Sequence, residues 1–426
     1  MRFCYRRFFQ NTPRHPRRST IKPCIGAVSL LFFILFFELP ARSQPFDPAA
    51  HTDPINLTPQ VREALDHFYN LDYEGALARF EAIQRANPQN PMAIDYVQMT
   101  VIFRELYHQD LLDTTYYAHD SFLTSKRSVS ISQPTLDRIE SLTNQAIALC
   151  DQQIKADPNN KNAFFARGYA RGMHAAFITF TQHSYVAAAR QGLASRSDSE
   201  QALRLDPDYA DAKMAVGIQQ FAVANLPRFV RILVGIAGVG GNREKGLALL
   251  RESANHGVVT VVQSRTALAL FLRHDARYPE ALVVEHGLVQ QFPHGFLFRL
   301  EEANLTKDEG NGPAAIVLYK AILADAHKPG FFNEPRLHMA YWGLADTERG
   351  QNQIAEAAQN YLEAAAQPTS TDWIRRRSQL NAGEMFDLLH NRPEAIKQYE
   401  LASAGDGDQS QADAAHRYLK TPYTGK

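Results

Sequence analysis

Small and apolar positions recur along the chain at helical spacing. At Ala76, Phe80 and Ile83, a small residue is followed by an aromatic residue four positions later and by an apolar residue three positions after that. This spacing puts the three side chains on one stripe of an α-helix. The arrangement recurs, in whole or in part, from Ala146, Ala202, Ala281, Ala315, Ala357 and Ala395. The chain is therefore predicted to form a series of helices, each with an apolar stripe that lets a neighbouring helix approach closely.

The partner helix of each predicted pair carries a small residue of its own. These residues are Gly168, Gly217, Ala345 and Gly383. Glycine inside a helix costs about 1 kcal/mol relative to alanine, so its recurrence indicates close packing. Prolines stand where several helices are predicted to begin, a position at which the missing N–H is harmless; these are Pro279, Pro313 and Pro393.

The interval from Pro279 to Pro313 is 34 residues, which is the length of one tetratricopeptide repeat. With its small and aromatic stripe, the chain resembles the tetratricopeptide-repeat family, most clearly over residues 260–404 and more weakly over 58–90 and 141–225. The resemblance implies an all-α fold, a right-handed superhelical solenoid of about eight helical hairpins. A helix from Gln409 to Leu419 is expected to cap the last repeat.

The first 43 residues have the composition of an export signal. An Arg-rich leader precedes an uncharged apolar run from Cys24 to Phe37, and Ala41 and Ser43 provide small residues before a cleavage point at Gln44. The run has 14 residues, whereas a helix that crosses a bilayer needs about 20. A cleaved signal peptide is therefore favoured over a retained short membrane anchor. This predicts export to the periplasm or cell envelope, with membrane association only through this segment.

The remaining chain is predicted to contain two half-solenoids. The expected divisions are a linker over 44–57, a first half over 58–225 with a long loop at 108–134, a Gly-rich connector over 226–241, and a second half over 242–426.

Charge and motifs exclude several classes of function. Eight of the 45 basic residues but one of the 45 acidic residues lie within 1–43, which leaves 37 against 44, a net charge of −7, on the rest of the chain. An acidic body argues against nucleic acid as a partner. Residues 235–241 are Gly-rich but lack the Lys-Ser/Thr ending of a phosphate-binding loop, and the sequence shows no close metal-binding His pair and no Gly-x-Ser-x-Gly motif. We therefore predict no cofactor and no enzymatic activity.

Similarity to tetratricopeptide domains implies that the first helix of each hairpin lines a concave groove. Apolar candidates for this groove in the first half are Phe165, Tyr169, Met173, Met214, Ile218 and Phe221. Mostly charged candidates in the second half are Trp342, Asp346, Arg349, Arg377, Leu380, Glu384 and Asp387. The apolar set has an alternative interpretation as hydrophobic core. Two arginines of the charged set, Arg349 and Arg377, are suited to bind a carboxylate.

The function predicted from these features is an exported scaffold that binds a protein or peptide in its groove and performs no catalysis. An alternative is a solute- or lipid-binding accessory component of an envelope transport system, which would use the apolar first half as a tunnel. A third hypothesis is an enzyme whose site carries no recognisable motif.

Overall fold

The computed structural model describes residues 46–117, 129–182, 184–225, 240–404 and 409–425. The predicted signal at 1–43 and most of the predicted connector at 226–241 lie outside these residues. Seventeen α-helices and no β-strand occur within the described ranges. They are α1 (Pro59–Tyr69), α2 (Tyr73–Ala86), α3 (Pro91–His108), α4 (Gln133–Ala156), α5 (Lys161–Gln182), α6 (Tyr185–Leu205), α7 (Lys213–Asn225), α8 (Arg243–His256), α9 (Val261–His274), α10 (Tyr278–Gln291), α11 (Phe296–Asp308), α12 (Gly312–Ala326), α13 (Leu337–Gly350), α14 (Ile354–Ala366), α15 (Asp372–Leu388), α16 (Arg392–Ser403) and α17 (Gln409–Lys420).

The helices stack in chain order as hairpins. Each helix packs against the next one along the chain, and odd-numbered helices also contact one another, as in the pairs α3 with α5, α5 with α7, and α11 with α13. The odd-numbered helices therefore share one layer, and the even-numbered helices lie beside it. Eight pairs and the final helix α17 account for all seventeen. The predicted fold class, an all-α solenoid of tetratricopeptide-like hairpins, is confirmed.

The small positions of the sequence pattern are where helices touch. All seven alanines that begin the stripe are fully buried, from Ala76 to Ala395. A Cβ atom added to Gly383 of α15 would lie 2.5 Å from the Tyr399 ring of α16, and one on Gly343 of α13 would lie 2.7 Å from the Tyr319 ring of α12. Glycine is required at these positions because an aromatic ring of the neighbouring helix occupies the space of a side chain.

Helix starts follow local sequence signals. The side chains of Asn311 and Asn391 accept hydrogen bonds from the first turns of α12 and α16, and Pro313 and Pro393 occupy those turns. Pro279 has the same place in α10. These caps satisfy backbone N–H groups that have no partner within the helix.

Part of the predicted linker at 44–57 is packed onto the solenoid. Two 3₁₀ turns, Pro48–His51 and Pro54–Leu57, precede α1. Ile55 and Asn56 are buried, and the Tyr96 hydroxyl of α3 donates to Asn56 Oδ1 at 2.8 Å. These residues belong to the core of the first hairpins.

One hydrophobic core extends from Ile55 to Leu344 and so includes parts of both predicted half-solenoids. α7 and α8 pack directly together, since a Cβ atom on Gly217 would lie 2.9 Å from the Gly246 carbonyl oxygen. The predicted loop at 108–134 corresponds to the interval between α3 and α4, of which residues 118–128 are not described. None of the described helices has both the length and the apolar character needed to cross a membrane.

The end of α3 contacts the start of α13, more than two hundred residues further along the chain. The Tyr107 hydroxyl donates to the Glu334 carbonyl oxygen at 2.8 Å. The buried Asp110 carboxylate accepts hydrogen bonds from the Arg336 guanidinium and, at 2.9 Å, from His338 Nε2. These contacts join the end of α3 to the start of α13.

Candidate functional site

The apolar groove candidates of the first half lie mainly in the core. Phe165, Tyr169, Met214 and Phe221 are buried, and Met173 and Ile218 are partly buried. Residues of α3 and α9 cover two of them, Tyr169 and Phe221. The Tyr169 hydroxyl lies 3.0 Å from Met99 Sδ and 3.2 Å from Gln263 Nε2, and the ring of Phe221 stacks on Phe271 with centroids 4.1 Å apart. This packing favours the core interpretation of these side chains.

The middle odd-numbered helices are also covered by the protein itself. Arg273 of α9, which is 2% exposed, donates to Thr114 Oγ1 at 2.8 Å and to Thr115 Oγ1 at 3.2 Å. The same guanidinium pairs with Glu301 and Asp308 of α11, at 3.1 Å and 2.6 Å. The segment that follows α3 therefore packs on α9 and α11 and covers their buried ion pairs.

A face of α13 and α15 near the C-terminal end remains accessible. The Arg377 guanidinium lies 4.9 Å from the Trp342 ring centroid and 5.1 Å from that of Trp373, within cation–π distance of both rings. All three side chains are partly exposed. The Trp342 Nε1–H is buried and has no acceptor among the described residues.

Two ion pairs involve the same helices as these aromatic side chains. Arg349 Nη1 lies 2.9 Å from Glu384 Oε2, and Lys307 Nζ of α11 lies 3.0 Å from Asp346 Oδ2. Burial raises the pKa of the Glu384 carboxyl, although the charge of Arg349 opposes the shift. We call this surface the tryptophan face and define it by Lys307, Trp342, Asp346, Arg349, Trp373 and Arg377, together with the buried Glu384 that pairs with Arg349.

The structure brings five predicted residues of the second half together on the tryptophan face and places two elsewhere. Leu380 is buried in a separate cluster with Ala395 and Tyr399. Asp387 is buried and accepts hydrogen bonds from Arg392 Nη1 at 3.0 Å and the Tyr399 hydroxyl at 2.8 Å. The hydrogen bonds of Asp387 fix α16 against α15, and its Oδ2 also accepts a hydrogen bond from the Tyr423 N–H at 2.8 Å.

Two residues of the face were missed by the sequence analysis. Trp373 lies four positions before Arg377 on the same helix, so helical spacing was sufficient to find it. Lys307 belongs to α11, one hairpin earlier, and reaches the face only because α11 contacts α13. No local spacing in the sequence indicates that contact.

One group of potential metal ligands occurs in the described part of the chain. His51, Asp206 and Asp208 have ligand atoms within 4.8 Å of one another. The Lys161 ammonium lies 2.5 Å from Asp206 Oδ2 and already supplies a cation to this carboxylate. The group therefore links the segment before α1 to α5 and α6.

No family model and no curated protein matches the sequence. Among solved structures, the yeast protein Tom70 is similar over 85% of this chain and 87% of its own, with 9% identity and a TM-score of 0.40. A tetratricopeptide repeat protein from Parabacteroides merdae is similar over 76% of this chain and 97% of its own, with 13% identity and a TM-score of 0.35. The fold assignment rests on the helix contacts described above.

Proposed function

We propose that the protein is a scaffold that binds a protein or peptide partner through the tryptophan face and catalyses no reaction. The observation that carries this proposal is the Arg377 guanidinium held over two partly exposed indole rings. Tryptophan and arginine are the residue types that dominate binding energy at protein interfaces.

The alternative of a solute- or lipid-binding tunnel has no support in the described residues. Of the buried apolar side chains it would use, Phe165 packs against Tyr209 in the segment before α7, and Phe221 packs against Phe271 of α9. Export to the periplasm or cell envelope remains part of the proposal, on the strength of the leader and apolar run in residues 1–43. Mass measurement of the protein purified from its native host tests it: a mature chain that begins at Gln44 is expected, and an intact N-terminus in a soluble fraction would contradict export.

The binding proposal is tested with the variant Trp342→Ala/Arg377→Ala. Full-length wild-type and variant chains are cross-linked in the envelope fraction, and captured proteins are identified by mass spectrometry. We expect the wild type to capture a reproducible partner and the variant to lose at least about tenfold of it, since each hot-spot truncation costs about 2 kcal/mol or more. Arg376→Ala, which changes the neighbouring arginine, is the matched control and should capture the partner normally.

The chain contains two tryptophans, and both lie on the tryptophan face. Titration of an identified partner should therefore change the intrinsic tryptophan emission. Equal capture by the wild type and by a variant with an unchanged far-ultraviolet helix signal would contradict the proposal. If the double variant fails to fold, Arg377→Ala alone provides the test, because this side chain is partly exposed.

A further inference from the structure

The chain after α17 returns to the edge of the tryptophan face. The Thr421 N–H donates to the Arg417 carbonyl oxygen at 2.9 Å, and the chain then runs through Pro422 to Tyr423. Arg349 Nη2 donates to the Tyr423 hydroxyl oxygen at 2.8 Å, with the guanidinium 5.6 Å from the ring centroid. The Tyr423 side chain thus lies against the same arginine that pairs with Glu384.

The backbone at this residue is held as well. The Tyr423 N–H donates to Asp387 Oδ2 at 2.8 Å. α13 and α15 therefore offer a donor for a phenol oxygen and an acceptor for a backbone N–H. Hydrogen bonds that involve an ionised group are about twice as strong as neutral ones, so this pair of contacts fixes both the side chain and the backbone of Tyr423.

The segment around Tyr423 is mostly exposed and is held chiefly at that residue. Thr421, Pro422, Thr424 and Gly425 are exposed, and Tyr423 itself is only partly buried. Besides Arg349 and Asp387, the ring contacts Tyr418 of α17 edge-on, with centroids 5.3 Å apart. A segment fixed mainly at one residue can leave without disturbing the hairpins beneath it.

We propose that the tryptophan face binds an extended, tyrosine-containing peptide of its partner, and that residues 421–425 are an intramolecular competitor for the tyrosine position. This inference rests on the proposed function and gives its ligand class. The partner's tyrosine replaces Tyr423 between Arg349 and Asp387, and neighbouring partner residues extend toward Arg377 and the two tryptophans. The free protein is thereby partly self-occupied at one end of its binding surface.

The test uses the full chain and a fluorescent synthetic peptide with the sequence of residues 420–425, Lys-Thr-Pro-Tyr-Thr-Gly, followed by anisotropy. Tyr423→Ala is compared with the wild type and with the matched control Thr424→Ala. A segment that is bound about 90% of the time lowers the apparent affinity for a competing peptide about tenfold. We expect Tyr423→Ala to bind the peptide about tenfold more tightly than both the wild type and Thr424→Ala.

Two further measurements separate the tyrosine contacts from a general effect. A peptide with phenylalanine in place of tyrosine should bind Tyr423→Ala about tenfold more weakly, because the hydrogen bond from Arg349 is lost. Tyr423→Phe should release the site less than Tyr423→Ala does, since the ring contact remains. Equal binding by wild type and Tyr423→Ala, no binding by either, or no difference between the two peptides would overturn the inference. Partner capture that still depends on Trp342 and Arg377 would then show that the scaffold function stands without tyrosine recognition.

Discussion

Two surfaces of the odd-numbered helices differ in accessibility. The first is covered by other helices, and the second, the tryptophan face, is partly exposed. On α5 and α7, Tyr169 and Phe221 are covered by residues of α3 and α9. On α13 and α15, Trp342 and Arg377 remain partly exposed, and the segment containing Tyr423 lies nearby on the same helices. The repeat itself does not make a binding surface. A face is available to a partner only where no other helix of the chain covers it.

The two faces also make different contributions to stability. Burial of apolar side chains on the covered face stabilises the fold by about 25 cal/mol for each Å² removed from water. Partly exposed ion pairs, such as Lys307 with Asp346 on the tryptophan face, contribute about 0–1 kcal/mol to stability. Substitutions on the covered face should therefore lower the free energy of unfolding. Substitutions on the tryptophan face should weaken partner binding with little effect on the free energy of unfolding.

The largest effect on stability is expected from Arg273→Ala, which removes the buried cation that joins α9 to α11 and to the segment after α3. Glu301 would be left buried without its partner, close to the buried Glu285, and the contacts to Thr114 and Thr115 would be lost. We expect the free energy of unfolding in urea to fall by about 3–5 kcal/mol, as for other buried pairs that lose one member.

The control for this substitution is Arg265→Ala on the same helix. Arg265 is partly exposed and hydrogen-bonds Gln291, so its loss should cost less than about 0.5 kcal/mol. Equal destabilisation by the two substitutions would show that the ion pairs and hydrogen bonds of Arg273 do not stabilise this part of the fold.

A somewhat smaller effect is expected from Asp110→Asn, which weakens the contact between the end of α3 and the start of α13. The carboxylate accepts hydrogen bonds from Arg336, His338 and Thr371, and asparagine cannot supply the same charge and acceptors. We expect a loss of about 3 kcal/mol at neutral pH. The exposed Asp137→Asn is the control and should leave the free energy of unfolding unchanged.

The pH dependence of this difference identifies the carboxylate as its source. Burial raises the pKa of Asp110, but hydrogen bonds and charges from His338 and Arg336 outweigh burial, so the pKa lies below its ordinary value of 3.8. The ionised carboxylate thus stabilises the fold above that value, and the stabilisation is lost as the pH falls through the lower, folded-state pKa. The stability gap between wild type and Asp110→Asn should be largest above about pH 5 and shrink below about pH 4. A gap that stays constant down to pH 2 would contradict this account.

A smaller effect is expected from Gly383→Ala, beneath the tryptophan face. The added methyl group would meet the Tyr399 ring, which is itself buried and bonded through its hydroxyl to Asp387. Overpacking of this kind costs about 1–3 kcal/mol, which thermal or urea unfolding will detect. Gly287→Ala in α10 meets no atom within 4 Å and should instead stabilise the protein by up to about 1 kcal/mol. Similar effects at both glycines would show that close ring contact is not the reason for Gly383.

Spacing within single helices predicted much of this molecule. The buried alanines, Gly383 against the Tyr399 ring, the proline helix starts and the final helix all follow from residues a few positions apart. The resemblance to tetratricopeptide domains, rather than spacing alone, implied that Trp342, Arg349, Arg377 and Glu384 lie on one surface, and residues seven positions apart do share one side of a helix. It placed Leu380 there too, and this was incorrect because α16 and α17 cover that side chain.

The sequence by itself determined the helices, their pairing and the residue types on each face, because these depend on contacts between neighbours along the chain. Only the tertiary structure decided which face is covered and which is open. Asp110 meets Arg336 and His338 across more than two hundred residues, and Tyr423 returns to Arg349 across 74 residues. Such contacts join parts of the chain that are far apart in sequence, so they depend on how the helices stack in three dimensions. A short-range sequence pattern does not encode that stacking, so the location of the binding surface is a property of the assembled fold.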